Sequence, residues 1–122
     1  MKQYLIHRAY TTMSRMWNMQ LPVRVAHEIY MLMKKLEPFH SYGIEQERKL
    51  VAKYNGEVSA DGQILFRNKD DAPLFRSELI EMNDLEVEVE FEPVRIPFDA
   101  VAEGTLSPMD ICNLDGFVIF GD

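Results

Sequence analysis

The chain has a single cysteine, Cys112, among its 122 residues. That excludes an internal disulfide and any thiolate metal cluster built by one chain. No apolar run approaches the ~20 residues of a membrane helix. The opening MKQYLIHRAY lacks an apolar stretch of signal-peptide character, so the expected compartment is the cytoplasm. There is no G-x-S-x-G, P-loop or G-x-G-x-x-G, and the few glycines sit in turn contexts. His27-Glu28 opens like the zinc helix H-E-x-x-H, but position 31 is Met31, so a first ligand is missing. His7, His27 and His40 have no metal-ligand spacing and read as surface or partly buried side chains. Cys112 falls on a predicted short helix with Asp110 nearby and no basic neighbour to activate it, so it reads as core rather than nucleophile. No catalytic residue, metal or cofactor is expected.

What the chain does have is helical periodicity. Pro22–Tyr54 reads as one long amphipathic helix, or two joined by a bend. Val25, Ile29, Leu32, Leu36 and Phe39 recur at spacings of four and three, which places them on one face. Pro22 suits a first helical position, and Asn55-Gly56 suits a stop. Pro38 inside the stretch removes a hydrogen bond and crowds the carbonyl of Lys34, at about 3 kcal/mol. Unbroken, such a rod is roughly 50 Å long at ~1.5 Å per residue. A domain of this size does not cover it easily, so a kink near Glu37–Tyr42 or a partner chain along it is expected. Before it, Ala9, Met13, Met16 and Trp17 share a face, which predicts a first helix over Arg8–Met19 after a short strand or arm at 2–8. Gln20-Leu21 is then a tight link between neighbouring antiparallel helices.

After Gly56 the period changes. Asp61-Gly62 between Val58 and Ile64-Leu65-Phe66 predicts a hairpin turn in which both residues take φ > 0. Asp70 or Asp71 can cap a helix over Ala72–Met82 that turns Leu74, Phe75, Leu79 and Met82 inward. Leu85–Glu92 alternates apolar and acidic residues without a fault, which predicts a strand ended by Pro93. Glu86, Glu88, Glu90 and Glu92 would then line one face about 7 Å apart, with Arg67 and Lys69 as the nearest basic relief in sequence. Ile96 and Phe98 are expected anchors of an irregular stretch. Ser107-Pro108-Met109-Asp110 is a helix start, and Phe117–Phe120 an apolar tail that tucks in or adds a strand.

These elements give an α+β fold: an N-terminal helical hairpin with a long helix, straight or kinked, packed on a small antiparallel sheet with a second, acidic helix. One domain spans residues 1–122. Its charge is lopsided. Residues 1–55 carry nine Lys/Arg and four Asp/Glu, whereas 56–122 carry four and sixteen. Either these faces neutralise each other within the fold, or the basic half of one copy meets the acidic half of another. Eight methionines, four of them in Met13–Met31, fit either an adaptable contact surface or ordinary helix core.

Leu21-Pro22-Val23-Arg24-Val25-Ala26, running into Met33-Lys34-Lys35-Leu36-Glu37 and then Glu47-Arg48-Lys49-Leu50-Val51 and Tyr54, resembles a family of small phage and prophage proteins of unknown function. Asp61-Gly62, Phe75–Met82, Leu85–Phe91, Ser107–Asp110 and Phe117–Phe120 follow in the order that the resemblance implies. It implies a setting among bacteriophage genes and brings no activity and no catalytic residue. The reading favoured is a non-enzymatic phage protein that assembles with itself or with other phage proteins, in the host cytoplasm or in a virion. Its expected contact residues are Met13, Met16, Trp17, Ile29, Met33, Leu36 and Phe39, with Trp17 as aromatic anchor. The alternative is a nucleic-acid-associated or host-regulatory binder using Arg15, Arg24, Lys34 and Lys35, against which stands the acidic balance of the whole chain.

Overall fold

The fold follows from how the long amphipathic helix is covered. In the computed structural model, which describes residues 1–121, helix α1 spans Gln3–Arg15 and helix α2 spans Val23–Lys53. A hairpin of β1 (Gly56–Val58) and β2 (Ile64–Phe66) leads to α3 (Asp71–Asn83). Then come β3 (Val94–Ile96), a 3₁₀ turn (Phe98–Ala100), α4 (Pro108–Leu114) and β4 (Val118–Phe120). β1 and β2 pair antiparallel, and β3 pairs with β4 in parallel. The class is α+β.

Helix α2 runs through Pro38 without a break and is 31 residues long, roughly 47 Å at ~1.5 Å per residue. Pro38 and Lys34 are both exposed, so the carbonyl that Pro38 leaves without a donor lies on the wet side, where water satisfies it. The inner side is covered by the chain itself. Ile6, Ala9, Met13 and Met16 of α1 pack on Val25, Ile29, Leu32, Met33 and Leu36 of α2. Val94, Ile96, Leu114, Phe117 and Val118 close the same cluster from the C-terminal third. The basic and acidic stretches of sequence therefore share one core. Farther along α2, α3 and the hairpin take over: Phe75 meets Phe66 at 5.2 Å between ring centroids, and Lys53 Nζ reaches Glu78 at 2.6 Å.

Helix α1 starts five residues earlier than expected and replaces the arm at 2–8. What fixes its first turn is distant in sequence. The Gln3 N–H donates to the Leu85 carbonyl and the Val87 N–H to the Met1 carbonyl. Gln3 is only 3% exposed, and its Nε2 donates to the Phe39 carbonyl at 2.7 Å. Gly43 leaves the space for that amide, because a Cβ there would lie 2.8 Å from it.

Several other expectations shift. Leu85–Glu92 keeps its alternation only from Val87 on: Val87, Val89 and Phe91 are half-buried against the core and the glutamates exposed, but Leu85, expected to face the core, is 51% exposed. It is not a strand, because its ladder is a single bridge between Lys2 and Glu86. The strand forms at Val94–Ile96 instead, where β4 offers a partner. Arg67 lies 3.8 Å from Glu57 and does not relieve the glutamate row; Lys2 and the N-terminal amine do so at Glu86. In the hairpin only Gly62 takes positive φ, at 86°, so Asp61-Gly62 belongs to a longer loop closed from Ser59 to Gln63. Asp70 caps α3 by position alone, with no side-chain bond. Leu74 points outward, since its neighbour Phe75 takes the narrow buried stripe. Phe98 is 75% exposed while Ile96 is fully buried. Cys112 is exposed rather than core, because Asp110 and Leu114, four residues apart, take the inward face of α4.

The N-terminus of α4 forms as the sequence predicts. Ser107 Oγ accepts from the Asp110 N–H, and Asp110 accepts from the Ser107 N–H, a reciprocal capping box. Asp110 also accepts from Arg15 at 2.6 Å, and Asn113 donates to Thr12, so a polar seam ties α4 to α1.

The Gln3–Gly43 contact sets two effects against each other. Glycine to alanine inside a helix gains about 1 kcal/mol. Dislodging a buried amide and leaving it unpaired costs about 1–3 kcal/mol, beyond the steric clash. The second effect wins, so Gly43→Ala lowers the urea midpoint. In a Gln3→Ala background, where the obstacle is gone, the same substitution raises it. Equilibrium unfolding of the four proteins checks this sign reversal.

Candidate interaction surface

Helix α1 stops at Arg15, so the link to α2 is Met16–Pro22, longer than Gln20-Leu21 alone. Two turns shape it, with the Trp17 N–H donating to the Ser14 carbonyl and the Met19 N–H to the Met16 carbonyl. This elbow lifts Trp17 out of the helix face. Trp17 is 61% exposed, and its ring stands 6.3 Å from the ring of Tyr30, itself 45% exposed. Beneath the two rings lies a cavity of about 220 Å³ with Met13, Met16 and Ile29 at its floor and Met19, Leu21 and Ala26 in its walls. Val23 on α2 is 87% exposed, whereas Met31 lines a separate cleft with His27 and Lys35. Lys34 Nζ stands 5.4 Å from the Tyr30 ring centroid, a cation over an aromatic face.

Of the residues read from sequence as contacts, Trp17 is the one that is free to make them. Met13, Met16, Ile29, Met33 and Leu36 are buried and Phe39 is half-buried. Their surfaces are already occupied by this chain's own elements, because α1 lies on them. Tyr30, Val23 and Met31 were not singled out. Nothing in the sequence sets Tyr30 apart from other apolar residues of an amphipathic helix, and Val23 carries no signal beyond its place after Pro22.

The basic residues do not form a free patch. Arg15 is held by Asp110, and Arg24 pairs with Glu28 at 3.0 Å. Lys34 stands over Tyr30, and Lys35 lines a cleft of about 540 Å³ with His27, Glu28, Glu90 and Glu92. Across the two halves of the sequence, ion pairs join the N-terminal amine and Lys2 to Glu86, Lys2 to Asp84, Arg15 to Asp110 and Lys53 to Glu78. The acidic row divides. Glu86 binds the N-terminal amine at 2.8 Å and Lys2 at 3.3 Å, whereas Glu88, Glu90 and Glu92 have no ion pair among the described residues. Hydrogen bonds from the N-terminal amine and Lys2 hold the Glu86 carboxyl below its ordinary value. The Ser107 N–H, with Arg15 adding to it, does the same for Asp110. These shifted groups are anchors of the fold rather than groups converging on a cleft.

One pairing could not be read from spacing. His7 on α1 and His40 on α2 bring their Nδ1 atoms within 3.2 Å, with Tyr10 stacked on His40 at 4.1 Å between centroids. Partial burial, and then the nearness of His7, push the His40 pKa below its ordinary 6.5.

Compared with family models, with curated proteins and with solved structures, the chain matches none.

The histidine pair gives a pH dependence of defined sign. His40 takes a proton more readily in the unfolded chain than in the fold. Its contribution to stability is therefore present above pH 6.5 and declines as pH falls below that value. The depressed carboxylates act lower, as pH falls below the ordinary 4.5 of Glu86 and 3.8 of Asp110. Urea midpoints measured across this range should fall in two stages, and His40→Gln should remove the upper stage while leaving the lower one.

Proposed function

We propose that this chain is a non-enzymatic interaction protein that associates with itself or with other phage proteins through the elbow of its helical hairpin. The observation that carries the reading is Trp17, a large aromatic side chain left 61% exposed on the rim of an apolar cavity beside Tyr30. A tryptophan over a preformed apolar pocket is the kind of residue that dominates binding energy at protein interfaces. Val23 is exposed on the neighbouring helix start, and Met19 in the cavity wall can repack against a partner of more than one shape. Self-association by this surface is elbow to elbow, about a two-fold axis, with the same side chains contributed by each copy. The phage setting belongs to this proposal and rests on the resemblance of the L-P-V-R helix start and the segments that follow it.

The reading moves the contact surface away from the inner face of α2. It also lowers the weight of charge, since Arg15 and Arg24 are paired within the chain. For the same reason the nucleic-acid alternative loses two of its four phosphate contacts. The non-enzymatic part is supported by Glu86 and Asp110, whose shifted carboxyls are held in ion pairs with Lys2 and Arg15.

Sedimentation velocity over a concentration series tests the proposal. The native chain is expected to shift to a faster species as concentration rises, with little change in high salt because the contact is apolar. Trp17→Ala is expected to remain a monomer with an unchanged far-UV spectrum. If the native chain stays monomeric throughout, self-association is wrong; if Trp17→Ala associates equally well, the elbow is wrong.

A further inference from the structure

We propose that His7 and His40 form an open, two-imidazole binding site for a borderline divalent transition-metal ion of the Zn²⁺ or Ni²⁺ kind, clasping α1 to α2. The geometry comes first. Two nitrogens bound to one Zn²⁺ at about 2.0–2.1 Å in tetrahedral arrangement stand about 3.3 Å from each other. The His7 and His40 Nδ1 atoms stand 3.2 Å apart, with the rings stacked at 4.9 Å between centroids and 19° between planes, so the exposed His7 ring has only to turn to bring its in-plane lone pair onto an ion held by His40.

The protonation state comes next. The contact between the two rings needs one Nδ1–H and one bare Nδ1. One nitrogen is therefore bare and accepts from the other, and both lone pairs become available to a metal ion when the donor ring shifts its proton to Nε2. A proton bridging the pair is replaced by a metal ion. Imidazole suits zinc, copper and nickel and does not suit calcium or magnesium.

The support is rigid. Both ligands sit on long helices rather than loops. Gln3, four residues before His7, is bonded to the carbonyl of Phe39, the residue before His40, so the backbones are locked at this level. Tyr10 stacks on the His40 ring and fixes its plane. His7 is exposed and His40 half-buried, which leaves the outer coordination positions open to water. Asp84 lines the groove beside His7 but turns its carboxylate to Lys2 at 3.5 Å. Among the described residues no group of three or more His, Cys, Asp and Glu is gathered anywhere, so the protein supplies two ligands. Such a site binds reversibly and tightens the helical hairpin when occupied, with no dependence on the elbow surface.

Zinc chloride titrated into the full chain at neutral pH, followed by calorimetry and thermal melting, tests this. The expected result is one Zn²⁺ per chain, a rise in Tm, and nitrogen NMR shifts at Nδ1 of both His7 and His40. Losing even a supporting partner of a ligand costs about 10–100-fold in affinity, so losing a ligand in His7→Gln or His40→Gln should cost at least that. His27→Gln, distant in sequence from both, should bind as the native chain does. His7 is exposed, so His7→Gln keeps its fold and is decisive by itself. Absence of Zn²⁺ binding overturns the proposal, and so does binding that survives His7→Gln. One Zn²⁺ per two chains also overturns it, by showing a closed site shared between copies.

Discussion

Everything in this structure depends on covering the apolar face of a 31-residue helix with a chain only 122 residues long. Helix α1 does the larger part, and it stays in place through more than grease. The Gln3 amide reaches across to the Phe39 carbonyl through the gap that Gly43 leaves. A buried amide satisfied in one geometry and costly in any other fixes the register of two helices that hydrophobic contact alone would let slide. The same contact sits beside Pro38, where the helix is weakest. Buttressing from α1 on the dry side, and solvent on the wet side, let the helix continue where local propensity argues for a break.

The charges follow this frame. With α1 fixed, Arg15 points at Asp110, whose carboxylate already closes the capping box of α4. The N-terminal amine and Lys2 are carried to Glu86 and Asp84, so the acidic segment is tethered at its start and left free beyond it. A chain that looks like an electrical dipole when read end to end folds into one where most of the basic half is answered locally. Beside the link of the hairpin, apolar and aromatic side chains stay exposed: Trp17, Tyr30 and Val23.

The parts legible in the sequence were those decided locally. Ser107-Pro108-Met109-Asp110 contains its whole helix start within four residues and folded accordingly. The apolar series 25, 29, 32 and 36 marked a buried face, and that face is buried. Features that need a distant partner were not legible. Leu85–Glu92 has the period of a strand, but period reports which side is dry and says nothing of who pairs with the backbone. The first turn of α1 is set by carbonyls some eighty residues away, so Lys2 and Gln3 carry no local sign of it. For the site, Trp17 was legible as an aromatic anchor. Its companions were not, because an apolar residue on a helix does not say whether its own chain or another will cover it. The His7–His40 pair lies on two helices and has no spacing to read.

Self-coverage of the long helix is the claim from which the elbow reading follows, and amide hydrogen exchange tests it most directly. In protein dilute enough to sediment as a monomer, the amides from Ile29 to Phe39 are predicted to be among the slowest in the chain, with protection continuing past Pro38. Fast exchange there in the monomer, becoming slow only as concentration rises, would contradict it and return the inner face of the helix to a partner.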